Sequence, residues 1–295
     1  MTRPPSPPLL LLAAFLALGL LASTVEASYG DRLPAFRECV QHIVTQRRVA
    51  AGLPVTQFHG KWPFVRVLGV QEPCSVLFSL GNLAAHLWGL ARLRRLPRAY
   101  PMRHYYLLFA CFGTAAWVAS TVFHTRDFRV TEQLDYFAAG ASVLYGMYYS
   151  PIRVFRLDRP GRRRRSLVRA WTLFCCALYA AHVAYLTLWR WNYAYNMAAN
   201  VVVGLVHNAI WSYYSWSRWS ESRRSWTTWP GVAVAWIMMV MSLELLDFPP
   251  LWGALDAHSL WHLGTIGPTI VWYNFMIKDC QEELALMGKL KDIKA

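Results

Sequence analysis

The chain has 295 residues, of which 56% are hydrophobic and only 16% charged; Trp and Tyr number 15 each, and the formal net charge is +14 at pH 7. A soluble domain of this size carries more charge and fewer aromatics, and several windows reach the roughly 18 to 20 apolar residues that cross a bilayer, so composition excludes a soluble globular protein and implies a membrane protein. The six cysteines show no zinc-type CxxC spacing.

Residues 1–27 read as a secretory signal peptide. Arg3 supplies a short positive region, residues 9–21 an apolar core, and Val25-Glu26-Ala27 a small-residue cleavage site. A luminal segment (28–70) is expected next. It holds Cys39, and Cys74 stands at the start of the first long apolar stretch, so these two thiols alone face an oxidising compartment, with a bridge between them left open. Cys111, Cys175 and Cys176 lie in apolar stretches and read as small buried hydrophobes.

Seven apolar stretches follow, near 73–91, 105–124, 133–151, 168–188, 193–214, 230–247 and 253–276, which predicts an all-α integral membrane protein, a seven-helix bundle over 71–277 with a cytosolic tail at 278–295. Orientation comes from the Arg and Lys bias of short loops. Arg92, Arg94, Arg95, Arg98 and Arg103 flank the first loop, and Arg153, Arg156, Arg159, "RRRR" (162–165) and Arg169 the third; "SRWSESRR" and "KLKDIKA" are basic as well. The alternate loops, "TRDFRVTE", "LWRWNYAYN" and "DFPPLWG", carry little positive excess. The N-terminus is therefore expected in the lumen and the C-terminus in the cytosol. Most of the net charge is then loop arginine, preferred over an anionic-lipid or nucleic-acid patch at "RPGRRRRS", and no nucleic-acid partner is expected.

On this topology five polar residues share the luminal leaflet. Ser120 and His124, four apart on one helical face, end the second helix; Asp135 is in the first turn of the third; His258 and His262, again four apart, begin the seventh. Intramembrane ionisable groups are costly and mark function. Three histidines, two at i and i+4, suit an open zinc site whose fourth position takes water. Asp135 is the candidate general base and Ser120 the candidate oxyanion donor. The competing reading for each is structural: histidines satisfied by hydrogen bonds, as read for His86, His182 and His207, and Asp135 held by the helix dipole.

The pattern Ser-x3-His, an aspartate eleven residues on and a late HxxxH resembles the CREST superfamily of seven-helix membrane proteins, which includes alkaline ceramidases and progestin/adiponectin-type receptors. Within it, "QFHGKWPF" (57–64), "STVFHTRD" (120–127), "LDYF" (134–137) and "LELLDFPPLWGALDAHSLWH" (243–262) resemble the Per-like family, which remodels the lipid of glycosylphosphatidylinositol (GPI) anchors. The resemblance implies zinc on His124, His258 and His262, with Asp135 and Ser120 beside the metal-bound water. It further implies an A2-type phospholipase that removes the sn-2 acyl chain from the phosphatidylinositol of GPI-anchored proteins, in the endoplasmic reticulum membrane or the Golgi membrane. Where that family carries a cysteine-rich luminal cap, this chain has Cys39 alone. Other readings left open are an alkaline-ceramidase-like amidase, a heptahelical receptor with structural zinc, and a proton- or metal-linked transporter. Nearby groups have secondary expectations: Glu244 and Asp247 as interfacial charges, Asp256 as a group orienting a ligand histidine, His59 and Lys61 against a lipid phosphate, Trp62 as an interface anchor. Arg126 and Asp127 are expected past the membrane interface, apart from the chemistry.

Overall fold

The computed structural model of the protein describes residues 62–292. The expected signal peptide and most of the luminal segment, with Cys39, His59 and Lys61, lie outside the described residues, and so does the side chain of Glu244.

Seven α-helices occur among the described residues: α1 Pro73–Leu93, α2 Arg103–Thr125, α3 Arg129–Val154, α4 Arg162–Ala184, α5 Tyr193–Ser222, α6 Trp229–Leu246 and α7 Ala257–Asp292. A π-turn, Tyr185–Trp189, extends α4, and a 3-10 turn, Ser225–Thr228, precedes α6. Extended pairing is limited, among these residues, to the isolated bridges Val67–Val70 and Leu251–Leu255. Each expected apolar stretch falls on one helix. Four of them, Pro73–Leu93, Arg103–Thr125, Arg162–Trp189 and Ser225–Leu243, are long and apolar enough to cross a membrane. The other three carry polar or charged groups along their lengths, among them Glu132 and Arg153 in α3, Asn196 and Asn200 in α5 and Asp279 in α7. Large apolar side chains stand outward, with Leu173 at 71%, Trp216 at 69% and Met239 at 66% exposure; on a helical chain of this hydropathy such faces suit lipid rather than water.

Local chemistry sets the helix ends. Pro73 opens α1, where its missing N–H costs nothing. Asn192 caps α5 by accepting from the Tyr195 backbone N–H at 3.1 Å. Asp256 caps α7: its Oδ1 accepts from the Ser259 N–H at 2.9 Å while its own N–H donates to Ser259 Oγ at 2.9 Å. Asp256 thus orders the helix start that carries both α7 histidines, a different role from the one expected of it.

The helices divide between two compact units. The first comprises, within the described residues, 62–81, Trp117–Asp135 and Val240–Leu263. Its loop segments are tied by Val65 N–H to the Gly253 carbonyl at 2.7 Å and by Trp62 Nε1–H to Asp247 Oδ1 at 2.7 Å. Trp62 and Asp247 are therefore partners of one another, beyond their expected interfacial placement.

The second unit comprises Asn82–Ala116, Tyr136–Met239 and 264–292. Its core is aromatic: Tyr149, Trp211, Tyr273 and Phe275 are fully buried, and their polar atoms are satisfied inside. Trp211 Nε1–H donates to Ser150 Oγ at 2.6 Å, Trp272 Nε1–H to Tyr149 OH at 2.7 Å, and His86 Nδ1 lies 2.7 Å from Tyr273 OH. His207 Nδ1 lies 2.9 Å from Ser150 Oγ, so the structural reading holds for His86 and His207; His182 stacks on Tyr195, but its buried Nε2 has no hydrogen-bond partner among the described residues, short of the full satisfaction expected. A Cβ on Gly113 would fall 2.0 Å from the His86 ring, so the helix backbone there must be bare. Of the three cysteines expected to be buried, Cys175 is, whereas Cys111 and Cys176 lie on exposed faces.

The boundaries also differ from expectation at the arginine-rich end. Arg153 is not a loop charge: it lies inside α3, 3% exposed, and pairs with fully buried Asp279 through Nε at 2.8 Å and through Nη2. Tyr100 and Tyr106 donate to the same carboxylate at 2.6 and 2.7 Å. Arg156 and Arg159 pair with Glu283. "RRRR" begins α4, and α7 continues to Asp292 through the segment expected to be a tail. Hydropathy marks these charges as segment ends; their pairing lets the helices run on.

Candidate functional site

The first unit brings Ser120, His124, Asp135, His258 and His262 together with three residues of the α1 start. The segment just before α1 caps the C-terminal end of α2, where the polar pair stands: Gln71 N–H donates to the Thr125 carbonyl and Glu72 N–H to the His124 carbonyl, each at 3.1 Å. These are carbonyls a helix C-terminus otherwise leaves unpaired. His124 and Ser120, one turn apart, are both buried, at 3% and 6% exposure. α7, capped by Asp256, presents His258 and His262 on one face, His262 buried and His258 half-buried.

The three imidazoles converge. His258 Nε2 is 3.4 Å from His124 Nε2 and 3.0 Å from His262 Nε2, and the three rings form a set able to hold a metal ion, their ligand atoms all within 4.8 Å of one another. The opposite edges of two rings are held. His124 Nδ1 lies 2.7 Å from Glu72 Oε2. His262 Nδ1 lies 2.8 Å from Ser79 Oγ, and Ser79 Oγ lies 3.2 Å from Ser120 Oγ. Ser75 Oγ–H donates to Glu72 Oε2 at 3.2 Å, and the Trp117 ring stands edge-on to His262 at 5.2 Å.

The donor chemistry fits a cation. A carboxylate only accepts, so the His124 Nδ1 carries the proton and its Nε2 presents a lone pair. Nε2 atoms at these distances can share a proton between rings or converge on a cation. Two nitrogens bound tetrahedrally about 2.0–2.1 Å from one zinc ion stand about 3.3 Å apart, and the observed 3.0 and 3.4 Å bracket that spacing. Burial pushes the Glu72 carboxyl up, but the charge that His124 and His258 carry when protonated and the bond to His124 outweigh it, leaving the group below its ordinary value.

Asp135 is half-buried; its electrostatic neighbours include His124, His258 and Glu72, and no hydrogen bond joins it to the three imidazoles. Arg126 and Asp127 lie in the turn after α2, where the Asp127 N–H donates to Gln71 Oε1 at 3.2 Å and the Arg126 carbonyl accepts from Thr131 Oγ1–H at 2.8 Å. Both are turn residues.

Sequence reasoning missed Glu72, Ser75 and Ser79. The signal was present as a helical period: Ser75, Ser79, Asn82 and His86 recur at intervals of four, three and four through an otherwise apolar stretch, and all four are buried. Glu72 immediately precedes Pro73, where an acidic residue also reads as an ordinary helix start.

Comparison with known proteins gives a consistent picture. The model of the Per1-like family matches residues 36–280, a range that contains every residue of the site. The "Protein PER1 homolog" of Schizosaccharomyces pombe is 45% identical over 239 residues, covering 80% of this chain and 71% of that protein. The "GPI-specific phospholipase A2-like PGAP3" of Xenopus laevis is 37% identical over 309 residues, covering 91% and 95% respectively. The Homo sapiens protein of that name is 34% identical over 309 residues, covering 91% and 94%.

Proposed function

This chain belongs to the Per1-like family, and from that premise we propose that it is a membrane-embedded acyl ester hydrolase that remodels GPI anchors. The bond cleaved is the sn-2 ester of the anchor phosphatidylinositol, and the products are a lyso-lipid on the GPI-anchored protein and a free fatty acid. The observation that carries this reading is the meeting of three Nε2 atoms at 3.0 and 3.4 Å beside Ser120 and Asp135. The names of the relatives, GPI-specific phospholipase A2-like, support the substrate class.

His124, His258 and His262 would hold zinc through Nε2. Zinc bound there supplies a Lewis acid that polarises an ester carbonyl and makes a water more acidic. The remaining work falls to the protein. Asp135 takes a proton from the water as its oxygen bonds to the sn-2 acyl carbon. Ser120 donates its hydroxyl hydrogen to the carbonyl oxygen as that atom gains charge. Asp135 then returns the proton to the glycerol oxygen as its bond to the acyl carbon breaks.

The same reading takes 1–27 as a signal peptide and α1 to α7 as seven spans, with the site in the luminal leaflet and α7 ending in the cytosol. It places the protein in the endoplasmic reticulum or Golgi membrane, where newly anchored proteins present their lipid. The test is lipid analysis of GPI-anchored proteins from cells lacking this chain, rescued with wild type or His262→Ala. Wild type restores the exchanged or lyso-type anchor lipid and His262→Ala leaves the original diacyl form; restoration by His262→Ala overturns the proposal.

A further inference from the structure

We propose that Glu72 is a positioning residue for the metal centre, fixing the tautomer and the aim of His124; the inference deepens the hydrolase reading and rests on it for the identity of the ion. Three observations carry it. Glu72 Oε2 lies 2.7 Å from His124 Nδ1, so the acceptor-only carboxylate assigns that nitrogen the proton and leaves Nε2 directed at His258. The backbone of Glu72 is tied to the same residue, its N–H donating to the His124 carbonyl at 3.1 Å. Carboxylate and ring are therefore held by one two-point contact and do not depend on a flexible side chain finding its partner. Finally, the carboxylate itself is steadied by Ser75 Oγ–H at 3.2 Å and is 12% exposed on its side chain, so little water competes for it.

The carboxylate meets the ring at Nδ1, while the convergent atoms are the Nε2 atoms, so Glu72 acts through His124 and is not itself one of the three converging donors. A group in this place raises the basicity of a metal-bound imidazole and holds its ring plane, and losing one commonly weakens metal binding about 10- to 100-fold. His262 has a neutral counterpart, Ser79 Oγ at 2.8 Å. Of these two ligands His124 is the one backed by a full negative charge, and its loss of support is expected to weigh more than that of His262.

The experiment uses the full chain purified in detergent, stripped of metal and titrated with zinc against a competing chelator. Wild type is compared with Glu72→Gln, which keeps an acceptor without the charge, with Glu72→Asp, whose shorter arm withdraws it, and with Glu72→Ala. Zinc Kd is expected to rise about tenfold for Gln and about 100-fold for Ala, with Asp between them. At saturating zinc, kcat falls in the same order while KM stays within about twofold, as expected of a residue that acts through His124 and not on the substrate. A zinc Kd within twofold of wild type in folded Glu72→Ala overturns the assignment. If Glu72→Ala does not fold, the same Kd in Glu72→Gln and Glu72→Asp as in wild type overturns it. The Kd arm needs no lipid: a wild type that binds zinc and releases no fatty acid defeats the hydrolase reading alone, whereas intact hydrolysis with unchanged Kd across the series defeats the Glu72 assignment alone.

Discussion

Removing the carboxylate of Asp279 should be among the most damaging single changes in the second unit. Asp279 is fully buried and accepts from Arg153 Nε at 2.8 Å, Tyr100 OH at 2.6 Å and Tyr106 OH at 2.7 Å. Asp279→Ala leaves the Arg153 guanidinium buried with its main partner gone, a loss of about 3–5 kcal/mol for a broken buried pair. The phenol groups of Tyr100 and Tyr106, and that of Tyr214 at 3.4 Å, lose their acceptor as well, which pushes toward the upper end. Glu283 Oε1, 3.5 Å from Arg153 Nη2, offers a weaker replacement and keeps the loss near about 4 kcal/mol. At about 2–4 °C per kcal/mol for a chain of this size, Tm falls by about 8–16 °C. The assay is thermal unfolding of the detergent-purified protein followed by tryptophan fluorescence. The double variant Arg153→Met/Asp279→Leu removes both charges together and is expected to recover most of the loss, since a matched apolar pair often equals a buried ion pair. A Tm drop below about 2 °C for Asp279→Ala, or a double variant as damaged as the single one, would refute the reasoning.

Ser120→Ala is expected to lower fatty-acid release about 10²- to 10³-fold, with zinc content unchanged because Ser120 is not among the three ligand residues; assay of both on one preparation checks it. Gly113→Ala forces a Cβ to within 2.0 Å of the His86 ring and should cost about 1–3 kcal/mol by overpacking, read as a lowered Tm. Asp256→Ala removes the α7 cap, costing about 1 kcal/mol, and should loosen zinc retention because His258 and His262 stand in the first turns that cap orders; Asp256→Asn should restore most of both.

The candidate site was legible in the sequence because its residues break a strong background. A serine and histidine four apart at the end of an apolar stretch, and a second histidine pair four apart at the start of another, stand out from Leu, Phe and Trp on periodicity alone. The existence of seven helical segments was legible for the same reason. Two kinds of information were not. Charges near segment ends are ambiguous, since hydropathy gives a loop arginine and a buried ion-paired one the same value. Arg153 therefore read as a loop charge although Asp279, 126 residues away in sequence, neutralises it inside the protein. Partner identity was equally hidden. Glu72 reads as an ordinary helix-start acid, and only the folded arrangement puts its carboxylate on His124 and the Ser79 hydroxyl on His262. Asp256, two residues before His258, invited a role on the histidine, yet its closest bonds are to Ser259, and it acts on the site by ordering the helix.

The central claim is that His124, His258 and His262 hold the zinc that makes this chain an ester hydrolase. Its most direct test measures zinc content and fatty-acid release together on the purified full chain supplied with a GPI-anchored protein bearing diacyl phosphatidylinositol. Wild type should carry about one zinc per chain and release the sn-2 fatty acid, stripping the metal should abolish release and restoring zinc should return it, and His258→Ala and His262→Ala should lose both. Full release from the metal-stripped wild type, or from either histidine variant, would contradict the account.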